Sequence, residues 1–492
     1  MPPQTATLAV VGIGGGDNMQ ALPLDDNGSD GTGKTAFSPP APTPIDNVPQ
    51  NHLWLRSFAV LPKVVSNPIE SFSATAFEEP VFQTRMFHQR LAMVHDPKML
   101  RHIFVEKADL LSANDVRQKI LKPALREGML TAEGATWRKA RRAIAPVFAP
   151  RNVHGFALSM RNVTSAFIED MKAGPDKVPL ADRLTKLAYM VLSDSLFSGD
   201  LDADSEQVLS DVAYFLEHLG RPDPMDLLGV PDWVPRITKL RGVGAIKRLR
   251  AAVRATAEQR LERDRNGEDL PEDFLTLLLR TRDDENDPLS IDEIEDNIIT
   301  FIAAGHETTA RALAWTIYLL SFDRDALQRC QAEVDALGID SVPPEQWGTY
   351  LPWVTACFEE SMRLFPPAAI VSRNLDADIQ FDGHEILAGT QIVASPWILH
   401  RHKCLWERPD EFHPARFFGD NREQIDRFAY LPFGLGRRVC IGARFAMQEA
   451  QIILALLLRS FEFSYEEERL PWPIMKVTVQ PDNGIPMRLI RR

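Results

Sequence analysis

Apolar residues recur at helical spacing through most of residues 100–365, and the clearest boundary in that stretch is Ser290. Ser290 and Glu293 make the S-x-x-E pattern of a capping box, with Leu289 and Ile294 placed to close the first turn as a hydrophobic staple. The helix predicted from there runs to about Ser321, spanning roughly 45 Å, enough to cross a domain. Its middle, Ala304-Gly305-His306-Glu307-Thr308-Thr309, holds poor helix formers, a local violation expected where function overrides stability. Further helices are predicted around Trp137, up to Arg363 before the stop at Pro366-Pro367, and from Ala443 onward. Val81–Phe87 and Arg90–His95 read as short strands, followed by a helix from Asp96. Strands return near Ile379 to Val393 and from Lys476, where Asn483-Gly484 predicts a tight hairpin turn. Arg221–Pro235 is too rich in proline for regular structure, and its Leu227, Leu228, Val230 and Trp233 suit either a lid or a loop tucked onto the body. Residues 1–45 are polar and glycine-rich, then proline-rich, and read as a flexible N-terminal arm.

Composition narrows the function. With 45% hydrophobic and 25% charged residues in 492, the chain has ample material for a large core. The net charge of −13 makes neither nucleic acid nor an anionic membrane a natural partner. Leu8–Ile13 is far shorter than the ~20 apolar residues that cross a bilayer, so no membrane anchor is expected. Cys330, Cys357, Cys404 and Cys440 show no paired or metal-ligand spacing, which suits a reducing, cytoplasmic compartment. Gly28–Thr35 fits the phosphate-loop pattern, yet Ser38–Pro44 follows it and no helix starts there. Val10–Gly16 begins like a dinucleotide fingerprint and fails at Asp17.

Phe433-Gly-Leu-Gly436-Arg-Arg438-Val-Cys440-Ile-Gly442 places one cysteine in a glycine-punctuated loop that leads into a helix. The glycines allow backbone N–H groups to crowd the sulfur, Arg438 is expected to bring positive charge, and the following helix dipole favours a thiolate. A buried structural cysteine is the alternative. The ten residues resemble the haem-binding loop of the cytochrome P-450 family of haem-thiolate monooxygenases. Three more segments resemble that family in its chain order: the hexapeptide at 304–309, Glu360-Ser-Met-Arg363 with the later Trp406–Phe417, and Trp137-Arg-Lys-Ala-Arg141. Seen alone, each has an ordinary reading: back-bonding threonines on a core helix, a surface ion pair, a solvated basic face.

The resemblance implies a mainly α fold with a small β region, forming one large catalytic domain over 46–492. It implies haem b (iron protoporphyrin IX) with Cys440 as axial ligand to the iron. Trp137, Arg141 and Arg373 would meet the propionates, and Phe433 and Arg438 would build the cofactor site. Gly305 would leave room for O2, while Glu307 and Thr308 deliver protons. Glu360, Arg363 and Arg416 would form a buried network bracing the cysteine loop, and Ala303, Ala304, Ile370 and Val371 would line the substrate pocket. Electrons, ultimately from NAD(P)H, would come from a separate ferredoxin or flavodoxin-type donor with its reductase, docking on Arg138, Lys139 and Arg142. A peroxide-driven hydroxylase or a haem sensor would need no acid–threonine pair.

Overall fold

The computed structural model describes residues 36–45, 53–201, 205–219, 225, 243–282 and 287–492. The phosphate-loop match and the proline-rich lid candidate lie outside those residues, Met225 excepted. Phe37–Arg492 forms one unit. It therefore begins inside the expected arm: Phe37 stacks on Phe322 with ring centroids 4.3 Å apart, and its carbonyl accepts from Phe412 N at 2.9 Å.

The main sheet has five strands, β1 (Val81–Met86), β2 (Gln89–Val94), β3 (Leu111–Ala113), β4 (Val371–Leu375) and β5 (Thr390–Ala394), in the order β1-β2-β5-β4-β3. Only the β2–β5 pair is parallel; β1 and β2 form a hairpin with Val81 opposite Val94. The predicted helix after β2 does form, with Asp96 accepting from Met99 N at 2.6 Å as its cap.

Five helices position the site: α1 (Gly134–Ile144), α2 (Leu180–Phe197), α3 (Ile291–Phe322), α4 (Pro352–Leu364) and α5 (Ala443–Ser460). α3 starts at the predicted capping box, where Glu293 Oε2 accepts from Ser290 N at 2.8 Å and Ser290 Oγ accepts from Glu293 N at 3.2 Å. Leu289 and Ile294 are both buried there. The helix is continuous for 32 residues and buried around most of its girth, with α2, α4 and α5 packed on it. Two short strands, β6 (Pro473–Met475) and β7 (Val479–Pro481), form a hairpin. Asn483-Gly484 is a turn, with Gly484 at φ +71°, but it closes no hairpin. The strand after it, Pro486–Arg491, pairs with Phe461–Ser464 and Lys177–Pro179, because turn chemistry is local and strand pairing is not.

Candidate active site

The cysteine loop turns on Gly434 and Gly436, at φ +75° and +67°. Gly436 is also spatially forced, since a Cβ there would lie 2.3 Å from the Phe104 carbonyl oxygen. The loop closes with Cys440 N donating to Phe433 O at 2.9 Å, and Phe433 itself packs on the core. α5 begins two residues past Ile441, at Ala443. Cys440 is exposed to solvent, yet deep enough in protein that burial pushes its thiol above the ordinary value. Both hold for an atom bordering an internal space. A hydrogen bond from Gly442 and the charge of Arg141 pull the other way and are outweighed. A bound cation would add to the second pull, toward the thiolate.

The cation facing Cys440 is Arg141 rather than Arg438. Arg438 turns toward α1: its guanidinium lies 4.2 Å from the centre of the Trp137 ring, donates to Ala132 O at 2.7 Å and pairs with Glu133 at 2.8 Å. Burial pulls Arg438 down to about 10 against the attraction of Glu133, and the charges of Arg373 and Arg141 add to the fall. Arg373, on β4, is lowered by burial and raised again by Glu133. Trp137, Arg141, Arg373 and Arg438 thus converge beside Cys440, with Glu133 acting on two of the guanidiniums, Arg373 and Arg438, and Cys440 on the third, Arg141. Lys139 leaves the basic face of α1 to pair with Glu293 at 2.9 Å, whereas Arg138 and Arg142 are exposed.

On α3, Ala304 is exposed and Ala303 and Thr308 half-buried in a helix otherwise enclosed, so this face borders open space inside the fold. Ile370 and Val371, at the start of β4, are likewise half-buried. At Gly305 the missing side chain admits α2, since a Cβ there would meet Leu192 Cδ2 at 2.9 Å. Gly305 is a helix-packing position. Thr308 Oγ1 donates to Ala304 O at 2.9 Å and Gly305 O at 3.2 Å, and Thr309 Oγ1 donates to Gly305 O at 3.3 Å. Glu307 is buried at 8% exposure and turns to Arg311, 3.5 Å away.

Glu360, Arg363 and Arg416 do meet. Glu360 accepts from Arg363 Nε at 2.7 Å and Nη2 at 2.9 Å, and lies 3.4 Å from Arg416 Nε. Arg363 then donates to the carbonyls of His400, Pro409 and Glu411, while Glu360 accepts from His413 N. Two buried side chains on α4 in this way fix the irregular segment that leads into the cysteine loop.

The profile of the family described as Cytochrome P450 matches residues 43–487. The chain belongs to the cytochrome P450 family. Similar proteins include cytochrome P450 4Z1 of Homo sapiens, 28% identical over 408 residues that cover 80% of each chain. Taurochenodeoxycholic 6 alpha-hydroxylase of Sus scrofa is 27% identical, covering 81% of this chain and 82% of its own. The crystal structure of cytochrome P450DA heme domain superposes with a TM-score of 0.76 at 26% identity, over 93% of this chain and 98% of that one. This P450 is accordingly a haem-using monooxygenase that depends on a redox partner, with the mainly α fold of its family. No helix among the described residues is long and apolar enough to cross a membrane.

The donor set of this P450 fits the group its family uses. A thiol that can ligate iron stands beside an excess of positive charge and an indole, the complement of two propionate carboxylates. Glu133, Arg311, Gln480 and Glu449 are polar members of the surroundings that sequence reasoning missed. Glu133 carries no signal beyond being one more acid before a helix. Glu449 was legible only as a charge in an apolar run of α5.

Proposed function

We propose that this P450 transfers one oxygen atom of O2 to a hydrophobic organic substrate of the terpene, fatty acid or steroid class. Its electrons would originate in NAD(P)H and arrive from a separate cytoplasmic ferredoxin- or flavodoxin-type donor. The observation that carries the reading is Cys440 beside the Arg141–Arg373–Arg438 cluster with its one carboxylate, Glu133. The catalytic unit is read as beginning at Phe37.

Haem, when bound, supplies the oxygen activation, and thiolate ligation favours O–O cleavage over simple carriage. Cys440 holds the iron; Trp137, Arg141, Arg373 and Arg438 hold the propionates, and Phe433 closes the loop. Thr308 presents its hydroxyl proton on the face bordered by Ala304, and Glu307 renews it. Ala303, Ala304, Ile370 and Val371 seat an apolar substrate and keep water out. Glu360, Arg363 and Arg416 hold the segment before the loop in place.

The reduced, carbon-monoxide-treated protein is expected to show the strongly red-shifted Soret band of thiolate ligation, absent in Cys440→Ala. Identical spectra for the two would defeat the reading. Titration with dodecanoic acid, limonene and progesterone, followed by the low-to-high spin shift, ranks the substrate classes.

A further inference from the structure

Arg311 stands one turn beyond Glu307 on α3, with its Nη2 3.5 Å from Glu307 Oε1. Ordinary charge-assisted bonds are about 2.7–2.9 Å, so this buried pair is loose. The same Nη2 donates to Gln480 Oε1 at 3.3 Å, on β7 and 169 residues away in sequence. Glu307 Oε2 and Arg311 Nε are both buried without a hydrogen-bond partner. A buried charged group left with an unmet atom is costly, and a functional role is one of the few reasons such an atom is kept. Glu307 is therefore anchored through one oxygen, with the other kept uncommitted next to Thr308 in the chain.

β7 is tied to more than Arg311. One turn along α3, Trp315 Nε1 donates to Val479 O at 3.4 Å, and Val479 N donates to Pro367 O at 3.0 Å. Pro367 precedes Ile370 and Val371 in the segment that enters β4. One short strand thus touches the relay helix and the segment read as lining the substrate pocket.

We propose that Arg311 and Gln480 are positioning residues that latch Glu307 to β7, so that proton supply to Thr308 depends on the strand that also secures the Ile370–Val371 segment. This rests on the reading of Glu307 and Thr308 as a proton relay. A hydrophobic substrate pressed against Ile370 and Val371 steadies β7, and through Gln480 and Arg311 it steadies the carboxyl. When the relay fails, two electrons and two protons per O2 leave as H2O2, instead of one oxygen atom entering substrate and the other leaving as water.

The test compares Arg311→Met, Arg311→Lys, Gln480→Leu, Arg311→Met/Gln480→Leu and Thr308→Ala. Each is first checked for haem content and for binding of the compound giving the largest spin shift in the panel above. Product and H2O2 are then counted per electron pair, using a surrogate ferredoxin and its reductase. Arg311→Met is expected to lower product about tenfold, since small misplacements of a reacting group cost up to roughly a hundredfold. Gln480→Leu should lower it about threefold and Arg311→Lys recover most of the loss, with binding unchanged in all. The double variant should match Arg311→Met both in coupling and in melting temperature, as for one unit. Normal coupling in Arg311→Met and Gln480→Leu alongside an uncoupled Thr308→Ala overturns the latch and spares the relay. A fully coupled Thr308→Ala overturns both. If Arg311→Met takes up no haem, Gln480→Leu, at a half-buried position, decides the matter alone.

Discussion

Glu449 is buried on α5 with a hydrogen bond to Thr309, and its Oε1 has no hydrogen-bond partner. Burial pushes its carboxyl up to about 8, against that bond. The folded protein consequently keeps a proton there that the unfolded chain releases above the ordinary carboxylate value near 4.5. Between those two pH values the folded state binds more protons, so stability falls as pH rises, and above about 8 the loss is complete. Glu449→Gln removes the dependence. In urea titrations it should match wild type near pH 5 and exceed it near pH 9 by roughly 3–5 kcal/mol. An unchanged difference between the two pH values would show that Glu449 is not held neutral. The sequence showed this residue only as a charge in an apolar run, because its environment is built by α3 crossing α5. Cys440 was legible for the opposite reason, since its loop geometry is encoded in ten consecutive residues. Arg438 lay between these cases: its membership of the site was readable, but its direction, toward Trp137 and Glu133 rather than Cys440, was set by α1 packing across the loop.

Elements were legible where their signals are local. The capping box of α3 and the Asp96 cap formed as the residues dictate, and Pro366-Pro367 follows the end of α4. Asn483-Gly484 misled because a turn does not name its partner strands. The pair Glu360 and Arg363, at i and i+3, is indistinguishable in sequence from a surface ion pair, and only the Trp406–Phe417 segment argued for burial. In the structure both side chains are fully buried. Glu360→Ala leaves Arg363 as an uncompensated buried charge, a class of change that costs about 3–5 kcal/mol. The expected outcome is a melting temperature lowered by many degrees, together with haem loss on dilution. A variant that melts with wild type would make the network dispensable.

At the scale of the molecule, fold class and the convergence of distant motifs were readable, while residues 46–52 and most of 220–242 lie outside the described structure. The whole-chain charge sets the last expectation. With a net charge of −13, this P450 repels an acidic electron donor at long range, so productive encounters need a local positive surface near Cys440. α1 supplies Arg138 and Arg142, both exposed, on the helix whose Arg141 faces the cysteine. Lys139 and Arg437 are paired with Glu293 and Asp109. Screening shortens the reach of such charges to about 10 Å at 0.1 M salt and about 3 Å at 1 M. Reduction by a ferredoxin or flavodoxin should therefore slow steeply as salt rises, and Arg138→Glu should slow it about tenfold at low salt while leaving the spin-shift titration unchanged. At high salt the two proteins should converge, because the variant has lost steering and little else. Salt-independent reduction, or equal rates for Arg138→Glu and wild type at low salt, would place the donor on another face or make it a partner that does not rely on charge.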